Sequence, residues 1–371
     1  MKKIFLLISI TFLISTLTSC SSDDDEVTAA AAATTTTKTG GAATVELSLS
    51  NAVTTLAGSG DNGSTNGTGT AASFYSPYSM TNDGTNLYVA DYSNHLIRKI
   101  VISTGVVTTL AGSGDNGSTN GTGTAASFYG PFGMTTDGTN LYVTEDKNHM
   151  IRKIVISTGV VTTVAGSGDN GSANGTGTAA SFYGPNGITN DGTNLYVAEY
   201  NNHMIRKIVI STGVVTTLAG STTSGAANGT GTAASFNNPV GITTDGTSLY
   251  IGDFSNHMIR EIKISTGAVN TLAGQINSGD ANGTGTDASF DNPGGLTNDG
   301  TNLYLADYTN NMIRKIDIAT QEVTTLAGSS TSGSANGTGT AASFNGPAGI
   351  TTDGTSLFVV DSGNHSIRKI D

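Results

Sequence analysis

Histidine recurs along this chain at a fixed spacing, and imidazole is both a common metal ligand and a common general base. The positions are 54 residues apart, with Asn at one of the six: His95, His149, His203, His257, Asn311 and His365. A metal site would need ligands that converge from several repeats, whereas a residue found in nearly every repeat is more simply part of the repeat's framework. We therefore predict a structural role for these histidines, with no metal and no catalytic residue among them.

The remaining sequence offers few groups for catalysis. Cys20 is the sole cysteine, and no Ser or Thr has a uniquely placed His and Asp as companions. The loop 60–67 is rich in Gly and Asn but lacks the alternating ligands and closing Glu of a calcium loop. Six arginines share the 54-residue period, and we expect them to pair with carboxylates such as Asp91 and Glu145 or with backbone carbonyls. No cofactor is expected.

Each repeat contains the signals for four short strands. In the second copy these are residues 131–135, 141–144, 149–156 and 160–165, with a strong turn signal at Asp137-Gly138 between the first two. A long Gly/Asn/Ser loop, residues 166–181, leads to the next copy. Four antiparallel strands followed by a long connection are typical of a propeller blade. The first strand contains Gly, as expected beside a crowded central axis.

The two ends of the chain predict a closed ring. Residues 53–58 read Val-Thr-Thr-Leu-Ala-Gly, which is the fourth strand of a repeat, yet they precede the first complete copy. The last copy stops at Asp371 without its own fourth strand. We therefore predict an all-β fold over residues 47–371: a six-bladed β-propeller of four-stranded antiparallel blades, closed by an N-terminal outer strand. An open solenoid of six units would leave these complementary ends unused.

The triplets Asn94-His95-Leu96 and Asn148-His149-Met150 resemble the signature of the NHL repeat family. The resemblance extends over all six copies, each of which keeps an Asp/Glu-x-x-Asn turn and an Ile-Arg pair. Three positions depart from the pattern: Asn311, Ser366 and Glu261. The resemblance implies a propeller, but the family includes sensors, adhesion modules, RNA binders and lyases, so it does not fix the function.

The N-terminus predicts export and lipid anchoring. Residues 1–19 have two lysines before an apolar run, as in a secretory signal, and Leu17-Thr-Ser-Cys20 resembles a bacterial lipobox, with Cys20 as the lipidated residue. An ordinary signal peptide with a stray cysteine is the alternative. Residues 20–46 are expected to form a flexible tether, and the acidic run 21–26 resembles an export signal of surface lipoproteins. We expect a lipid-anchored protein of a Gram-negative cell envelope, in the outer membrane, with the leaflet left open.

The net charge of −12 argues against nucleic acid as a partner, because phosphates would be repelled. Removal of Lys2 and Lys3 with the signal would take the charge to −14. The expected partner is a protein, peptide or glycan of unknown identity, besides the membrane at Cys20. The propeller itself is expected to be monomeric.

Candidate binding residues are those that differ between the repeats. Three tyrosines follow the Phe that ends each long loop in the first three copies, two aromatics lie just after the Pro of the first two copies, and three aspartates occur in the first three long loops: Tyr75, Tyr129, Tyr183, Tyr78, Phe132, Asp61, Asp115 and Asp169. Aromatic rings beside carboxylates suit a glycan or a basic peptide. The alternative is that the three tyrosines merely pack between blades.

Two classes of function remain open. The first is a cell-surface or envelope-anchored binding module that presents one propeller face to a peptide, glycan or protein. The second is a lyase or lactonase-type hydrolase with a site near the axis, as the family resemblance allows. The near-identity of the repeats favours the binding module, because catalysis needs residues that break the symmetry. A purely structural spacer is a third possibility.

Overall fold

The computed structural model describes residues 46–371. The predicted signal peptide, the lipidation of Cys20 and the tether up to residue 45 lie outside the described residues. Within residues 46–371, no helix is long and apolar enough to cross a membrane.

Six antiparallel sheets surround a central axis and form the blades of a six-bladed β-propeller. The innermost strand of each blade is Pro77–Asn82, Pro131–Thr136, Pro185–Asn190, Pro239–Thr244, Pro293–Asn298 or Pro347–Thr352. The second strands are Asn86–Asp91, Asn140–Glu145, Asn194–Glu199, Ser248–Asp253, Asn302–Asp307 and Leu357–Asp361. Blades 1 to 6 are numbered in this order.

The outer half of each blade consists of two further long strands. The third strands are Leu96–Val101, Met150–Val155, Met204–Val209, Met258–Lys263, Met312–Asp317 and Ser366–Ile370. The outer strands of blades 1 to 5 are Val106–Ala111, Val160–Ala165, Val214–Gly220, Ala268–Gly274 and Glu322–Gly328, and Ala52–Ala57 serves blade 6.

Each sheet has a fifth strand that corrects the four-strand count expected from sequence. It contains two residues from the long loop and pairs with the outer strand of its blade, for example Gly67 with Val107 and Thr68 with Val106. A side chain at Gly67 would place its Cβ 2.8 Å from the carbonyl oxygen of Ala71, so this fold-back requires glycine. A two-residue strand has no alternating pattern, so the sequence predicts only a loop here.

The fifth strands are Gly67–Thr68, Gly121–Thr122, Gly175–Thr176, Gly229–Thr230, Gly283–Thr284 and Gly337–Thr338. A 3-10 turn follows each of them: Gly69–Ala71, Gly123–Ala125, Gly177–Ala179, Gly231–Ala233, Gly285–Asp287 and Gly339–Ala341. Three more 3-10 turns follow second strands, at Tyr92–Asn94, Phe254–Asn256 and Ser362–Asn364.

The N-terminal strand closes the ring, as the sequence predicts. Val53 pairs with Ile370 on one side and with Gly337 on the other. The backbone N–H of Ala52 donates to the carbonyl of Asp371 at 3.3 Å, and the N–H of Asp371 donates to the carbonyl of Ala52 at 3.1 Å. Blade 6 is therefore complete only when both ends of the propeller are present.

The core lies between blades. One cluster packs Tyr88 and Ile97 of blade 1 against Leu141, Val143 and Ile154 of blade 2, and all five side chains are fully buried. Because both faces of each sheet are covered by neighbours, the strands lack the inside/outside alternation of a half-exposed sheet. The apolar area that is buried at each seam depends on the next blade, so stability is shared around the ring.

At one end of the axis, where the first and second strands are joined, asparagine side chains connect adjacent blades at every second seam. Asn82 of blade 1 donates from Nδ2 to Thr351 Oγ1 and to the carbonyl of Thr352 in blade 6, both at 2.9 Å. Asn190 and Asn298 do the same toward blades 2 and 4. In blades 2, 4 and 6 a Thr takes this position. Its hydroxyl donates to a carbonyl of its own blade and does not connect two blades.

Candidate ligand-binding site

The six periodic arginines are buried structural residues. Arg98 is 0% exposed; its Nη1 donates to Asp91 Oδ2 at 2.8 Å, and its Nη2 donates to the carbonyl of Thr65 at 3.1 Å and to Asn66 Oδ1 at 2.9 Å. Its guanidinium lies 5.2 Å from the centroid of the Phe74 ring. The equivalent ion pair occurs in every blade. The predicted pairing is present, and it fixes each long loop onto the third strand.

The histidines join consecutive blades through their ring nitrogens. In each case Nδ1 accepts a backbone N–H from the next blade: His95 from Gly130 (3.4 Å), His149 from Gly184 (3.3 Å), His203 from Asn238 (3.0 Å), His257 from Asn292 (3.1 Å) and His365 from Ser76 (3.1 Å). Asn311 replaces His because its Oδ1 accepts the N–H of Gly346 at 2.9 Å. Burial lowers the pKa of His95, His149 and His203, which favours the neutral ring that this bond requires.

A cavity of about 410 Å³ opens on the axis, at the end of the ring that carries the turns between second and third strands. This axial cavity ends at a floor of six apolar side chains: Met80, Met134, Ile188, Ile242, Leu296 and Ile350. Each floor residue is between 3% and 6% exposed. The volume falls within the range of about 300–1,000 Å³ that is usual for small-molecule sites.

Glycine forms the layer above the floor in five of the six blades. A Cβ on Gly133 would lie 2.1 Å from the carbonyl oxygen of Asn186 in the next blade, so no larger residue fits. Blade 1 has Ser79 instead, and there the residue pairs with Ala90 of the second strand, a pairing absent at the equivalent point of the other blades. The inner strands meet as closely as the glycine pattern predicts, with a local exception in blade 1.

The mouth of the axial cavity is the least symmetric layer. One backbone position, the residue after the inner-strand Pro, carries a different side chain in each blade in turn: Tyr78, Phe132, Asn186, Val240, Gly294 and Ala348. Large rings therefore occupy one side of the axis, while the opposite side is nearly bare. Since the inner strands of blades 2 to 6 share one register and only blade 1 differs locally, these substitutions account for most of the open volume.

Tyr78 and Phe132 stack on each other, with ring centroids 4.8 Å apart and planes inclined by 22°. Tyr92 closes its outer edge, with its ring 5.0 Å from that of Tyr78 in an edge-on arrangement. The hydroxyl of Tyr92 donates to Asp146 Oδ2 at 3.1 Å. Burial and the Asp146 carboxylate raise the pKa of Tyr92 to about 12, so the phenol stays protonated.

A second ring of side chains comes from the turns after the second strands: Tyr92, Asp146, Tyr200, Phe254 and Tyr308 all line the cavity. Lys147 pairs with Asp146 at 2.9 Å, so the two charged residues among the described lining neutralise each other. Burial, and then the nearby Tyr308 phenol, raise the pKa of Tyr78. The walls are therefore aromatic, uncharged on balance and rich in hydroxyl groups.

Asn186 supplies a polar group with an unmet hydrogen-bonding capacity. The residue is 6% exposed and lines the cavity, and its Oδ1 has no hydrogen-bond partner among residues 46–371. A buried amide oxygen without a partner is costly and in native proteins often marks a place where another molecule completes the bond. The Oδ1 atom is buried, so the side chain offers an uncommitted amide beside the mouth.

The structure separates the sequence-predicted site residues into two groups. Tyr78 and Phe132 line the axial cavity. Tyr75, Tyr129 and Tyr183 are 38–41% exposed and lie outside the cavity lining, each edge-on to a histidine of the preceding blade. Asp61, Asp115 and Asp169 are exposed on the long loops, where Asp115 and Asp169 act on the pKa values of His95 and His149. These residues form an outer rim on the same face.

Sequence reasoning missed several cavity residues. Asn186 and Gly294 occupy the same repeat position as Tyr78 and Phe132, so comparing that one column across all six copies would have identified them. Tyr200, Phe254 and Tyr308 could likewise be found at the position after the turn carboxylate.

No family model matches the chain. Among curated proteins, the protein SUPPRESSOR OF QUENCHING 1, chloroplastic, of Arabidopsis thaliana is 30% identical over 306 residues, covering 77% of this chain and 29% of that protein. NHL repeat-containing protein 2 of Homo sapiens is 28% identical over 324 residues, covering 77% of this chain and 44% of that protein. The chain thus spans less than half the length of the curated relatives it matches.

Solved structures share the fold. A protein of unknown function from Bacteroides thetaiotaomicron has a TM-score of 0.65 at 21% identity, covering 86% of this chain and 75% of that one. An auxiliary nutrient binding protein from the same organism has a TM-score of 0.64 at 19% identity, covering 86% and 76%. Taken with the six recurring turns and the closed ring of six blades, the curated matches show that this chain belongs to the NHL-repeat β-propeller family.

Proposed function

We propose that the protein is an envelope-anchored binding module and that the axial cavity holds its ligand. The observation that carries this proposal is the gradient around the mouth, from Tyr78 and Phe132 to Gly294 and Ala348. A purely structural ring would gain nothing from six different residues at one equivalent position. A concave, mostly apolar site with a few polar groups is the usual form of a small-molecule site.

The balance of groups at the cavity supports binding over catalysis. Asp146 and Lys147 are the charged residues among the described lining, and they pair with each other. The histidines lie at the blade seams, where Nδ1 already accepts a backbone N–H. The lyase or lactonase-type alternative would need an acid or base with a free position toward the cavity.

The anchoring part of the proposal rests on the sequence around Cys20. The first described residues reach the propeller at blade 5, where the backbone N–H of Leu47 donates to Asp299 Oδ2 at 3.1 Å, in the turn between the first and second strands. That turn is at the end of the blade opposite the cavity mouth. An auxiliary nutrient binding protein has a similar fold, which supports a binding role.

Filling the cavity tests the site. Val240→Trp would place a large ring at the mouth, whereas Val214→Trp makes the same change at a position of the outer strand that is 37% exposed. A thermal-shift screen of sugars, peptides and small aromatic compounds should give ligands that stabilise the parent and the Val214→Trp variant but not the Val240→Trp variant. Ligands that stabilise all three proteins equally, or a screen without any ligand, would contradict the proposal.

Anchoring is tested separately with Cys20→Ser in the full-length protein. The parent should incorporate labelled palmitate and partition with detergent, and the variant should do neither. An unlabelled parent would overturn the lipoprotein assignment while leaving the cavity proposal intact.

A further inference from the structure

We infer that the axial cavity takes the end of an uncharged carbohydrate chain, with one terminal sugar ring inserted at the mouth. This inference rests on the proposed function, because it names the ligand class of the same cavity. It follows from three properties of the site: a closed floor, the absence of net charge, and an aromatic surface beside an unpartnered amide.

The closed floor favours a chain end. Met80 and the five equivalent apolar side chains seal the axis beneath the mouth, and the most exposed of them is 6% exposed. A polymer cannot thread through such a cavity. The internal part of a chain would have to bend sharply to enter and leave by the same opening, whereas a terminal unit enters directly.

The charge of the lining excludes a charged end. A peptide terminus carries an ammonium or a carboxylate group, and burying either without a partner is costly. Among the described lining residues the Asp146–Lys147 pair, 2.9 Å apart, satisfies its own charges. A sugar that lacks uronic acid or amino groups carries no charge to compensate.

A sugar ring matches the remaining groups. The C–H face of a pyranose can pack on an outer ring face of the Tyr78–Phe132 stack, since aromatic rings offer apolar area with a polar edge. A hydroxyl at the sugar's edge can bond to the uncommitted amide of Asn186, one blade further around the axis, once the side chain turns toward the cavity. The Tyr92 hydroxyl, which donates to Asp146, can accept a further bond at the rim, and the Tyr308 hydroxyl can donate or accept.

The space for the ring lies opposite the aromatic surface. Blade 5 faces blade 2 across a ring of six, so Gly294 stands across the axis from Phe132. The sugar is therefore held between the Tyr78–Phe132 stack and the backbone of Gly294. This arrangement selects a flat, unbranched terminal unit.

Isothermal titration with defined probes tests the inference. The neutral probes are cellotetraose, xylotetraose, mannotetraose and maltotetraose; the charged probes are tetragalacturonate and a tetrapeptide, and a methylated indole represents flat aromatic ligands. We expect at least one neutral oligosaccharide to bind, with one protein molecule on each oligosaccharide molecule. An oligosaccharide twice as long should show the same stoichiometry. The tetragalacturonate and the peptide should bind at least tenfold more weakly.

Two variants connect this binding to the named groups. Asn186→Leu keeps the side-chain volume but removes the amide, and Phe132→Ala removes half of the aromatic surface; each should weaken binding at least tenfold. Tyr75→Asn is the control, because this tyrosine lies outside the cavity lining and blades 4 and 6 have Asn at its position. Melting temperatures and circular dichroism establish that each variant is folded.

The outcomes separate the two proposals. A peptide or aromatic ligand that binds the parent but not the Val240→Trp variant would leave the cavity as the site and overturn the carbohydrate assignment. Several proteins bound along one long chain would overturn recognition of the chain end. If none of the probes and none of the screened compounds binds, the proposed function itself fails.

Discussion

His203 accepts a hydrogen bond of 3.0 Å at Nδ1 from the backbone N–H of Asn238, which belongs to the following blade. The histidine has a left-handed backbone conformation, with φ at 53°, and so directs its ring back across the seam. In blade 5 the shorter side chain of Asn311 makes the equivalent bond to Gly346 at 2.9 Å. The residue type can therefore change as long as an acceptor stays at this point.

Replacing three of these histidines with Asn should reduce the acid sensitivity of the fold. Burial lowers the pKa of His95, His149 and His203, so below about pH 6.5 the unfolded chain takes up protons that the folded ring binds less readily. The parent thus loses this part of its stability as the pH falls from about 7 to 5. At pH 8 the free energy of unfolding of the triple Asn variant should lie within about 1 kcal/mol of the parent's. On acidification the variant should lose less of that free energy than the parent does.

Urea unfolding of both proteins between pH 5 and 8 gives the comparison. Burial also raises the pKa of Asp253 and Asp307 to about 6, so carboxyl groups titrate in the same range, and the difference between variant and parent cancels their effect. Identical pH dependence in the two proteins would show that the histidines do not titrate with unfolding.

Removing one buried arginine should strongly destabilise the ring. Arg152→Met would leave the fully buried Glu145 without its partner at 2.8 Å, and breaking such a pair costs about 3–5 kcal/mol. Lys153→Met, at the next residue and only half-buried, should cost less than about 1 kcal/mol. Chemical denaturation measures both, and equal losses for the two variants would mean that the ion pair contributes little.

Closure of the ring can be tested within one strand. Val53 is 2% exposed, whereas its neighbour Thr54 faces solvent. Val53→Asp would bury a charge where the two chain ends pair and should lower the melting temperature sharply, with aggregation through the exposed edge. Thr54→Asp should melt close to the parent.

A deletion of residues 46–58 tests the same closure. The deleted protein should melt early, as Val53→Asp does, and a peptide of residues 50–58 should restore its melting temperature. A deletion that melts like the parent would refute closure.

The crowding of the inner strands gives a further test. Gly133→Ala would push a methyl group toward the carbonyl of Asn186, 2.1 Å away, and should cost about 1–3 kcal/mol through strain. Ser79→Ala changes the equivalent position of blade 1, where a side chain is already present, and should be nearly neutral. Because the strain moves Asn186, Gly133→Ala should also weaken binding at the cavity. Equal stability of the two variants would show that the seam can relax.

The outer rim is tested by giving blades 1 to 3 the Asn that blades 4 and 6 carry. The combined Tyr75→Asn, Tyr129→Asn and Tyr183→Asn variant should bind a short ligand as the parent does, because these rings lie outside the cavity lining. If the rim contacts a larger ligand, the variant should lose the affinity that the parent gains with ligand length. Titration with short and long forms of one ligand measures this, and a loss for the shortest form would move the rim tyrosines into the site itself.

The repeat period was sufficient to predict the blades, their number and the closure, because each of these follows from the count and the ends of identical units. The two-residue strand at Gly67–Thr68 could not be predicted, since it forms only when the loop folds back on a strand almost 40 residues later in the chain. The axial cavity was predicted in part. Tyr78 and Phe132 stood out as aromatic, but Asn186 and Gly294 gain their meaning only where six equivalent positions meet.

The asparagine links give the ring a threefold pattern within its sixfold one. Asn82, Asn190 and Asn298 are 108 residues apart, twice the 54-residue period, and each ties its blade to the one before it. Blades 6 and 1, 2 and 3, and 4 and 5 are thus linked pairs, and the three seams between pairs lack this bond. The chain can therefore be described as three copies of a two-blade unit, in which a side-chain bond reinforces every second seam.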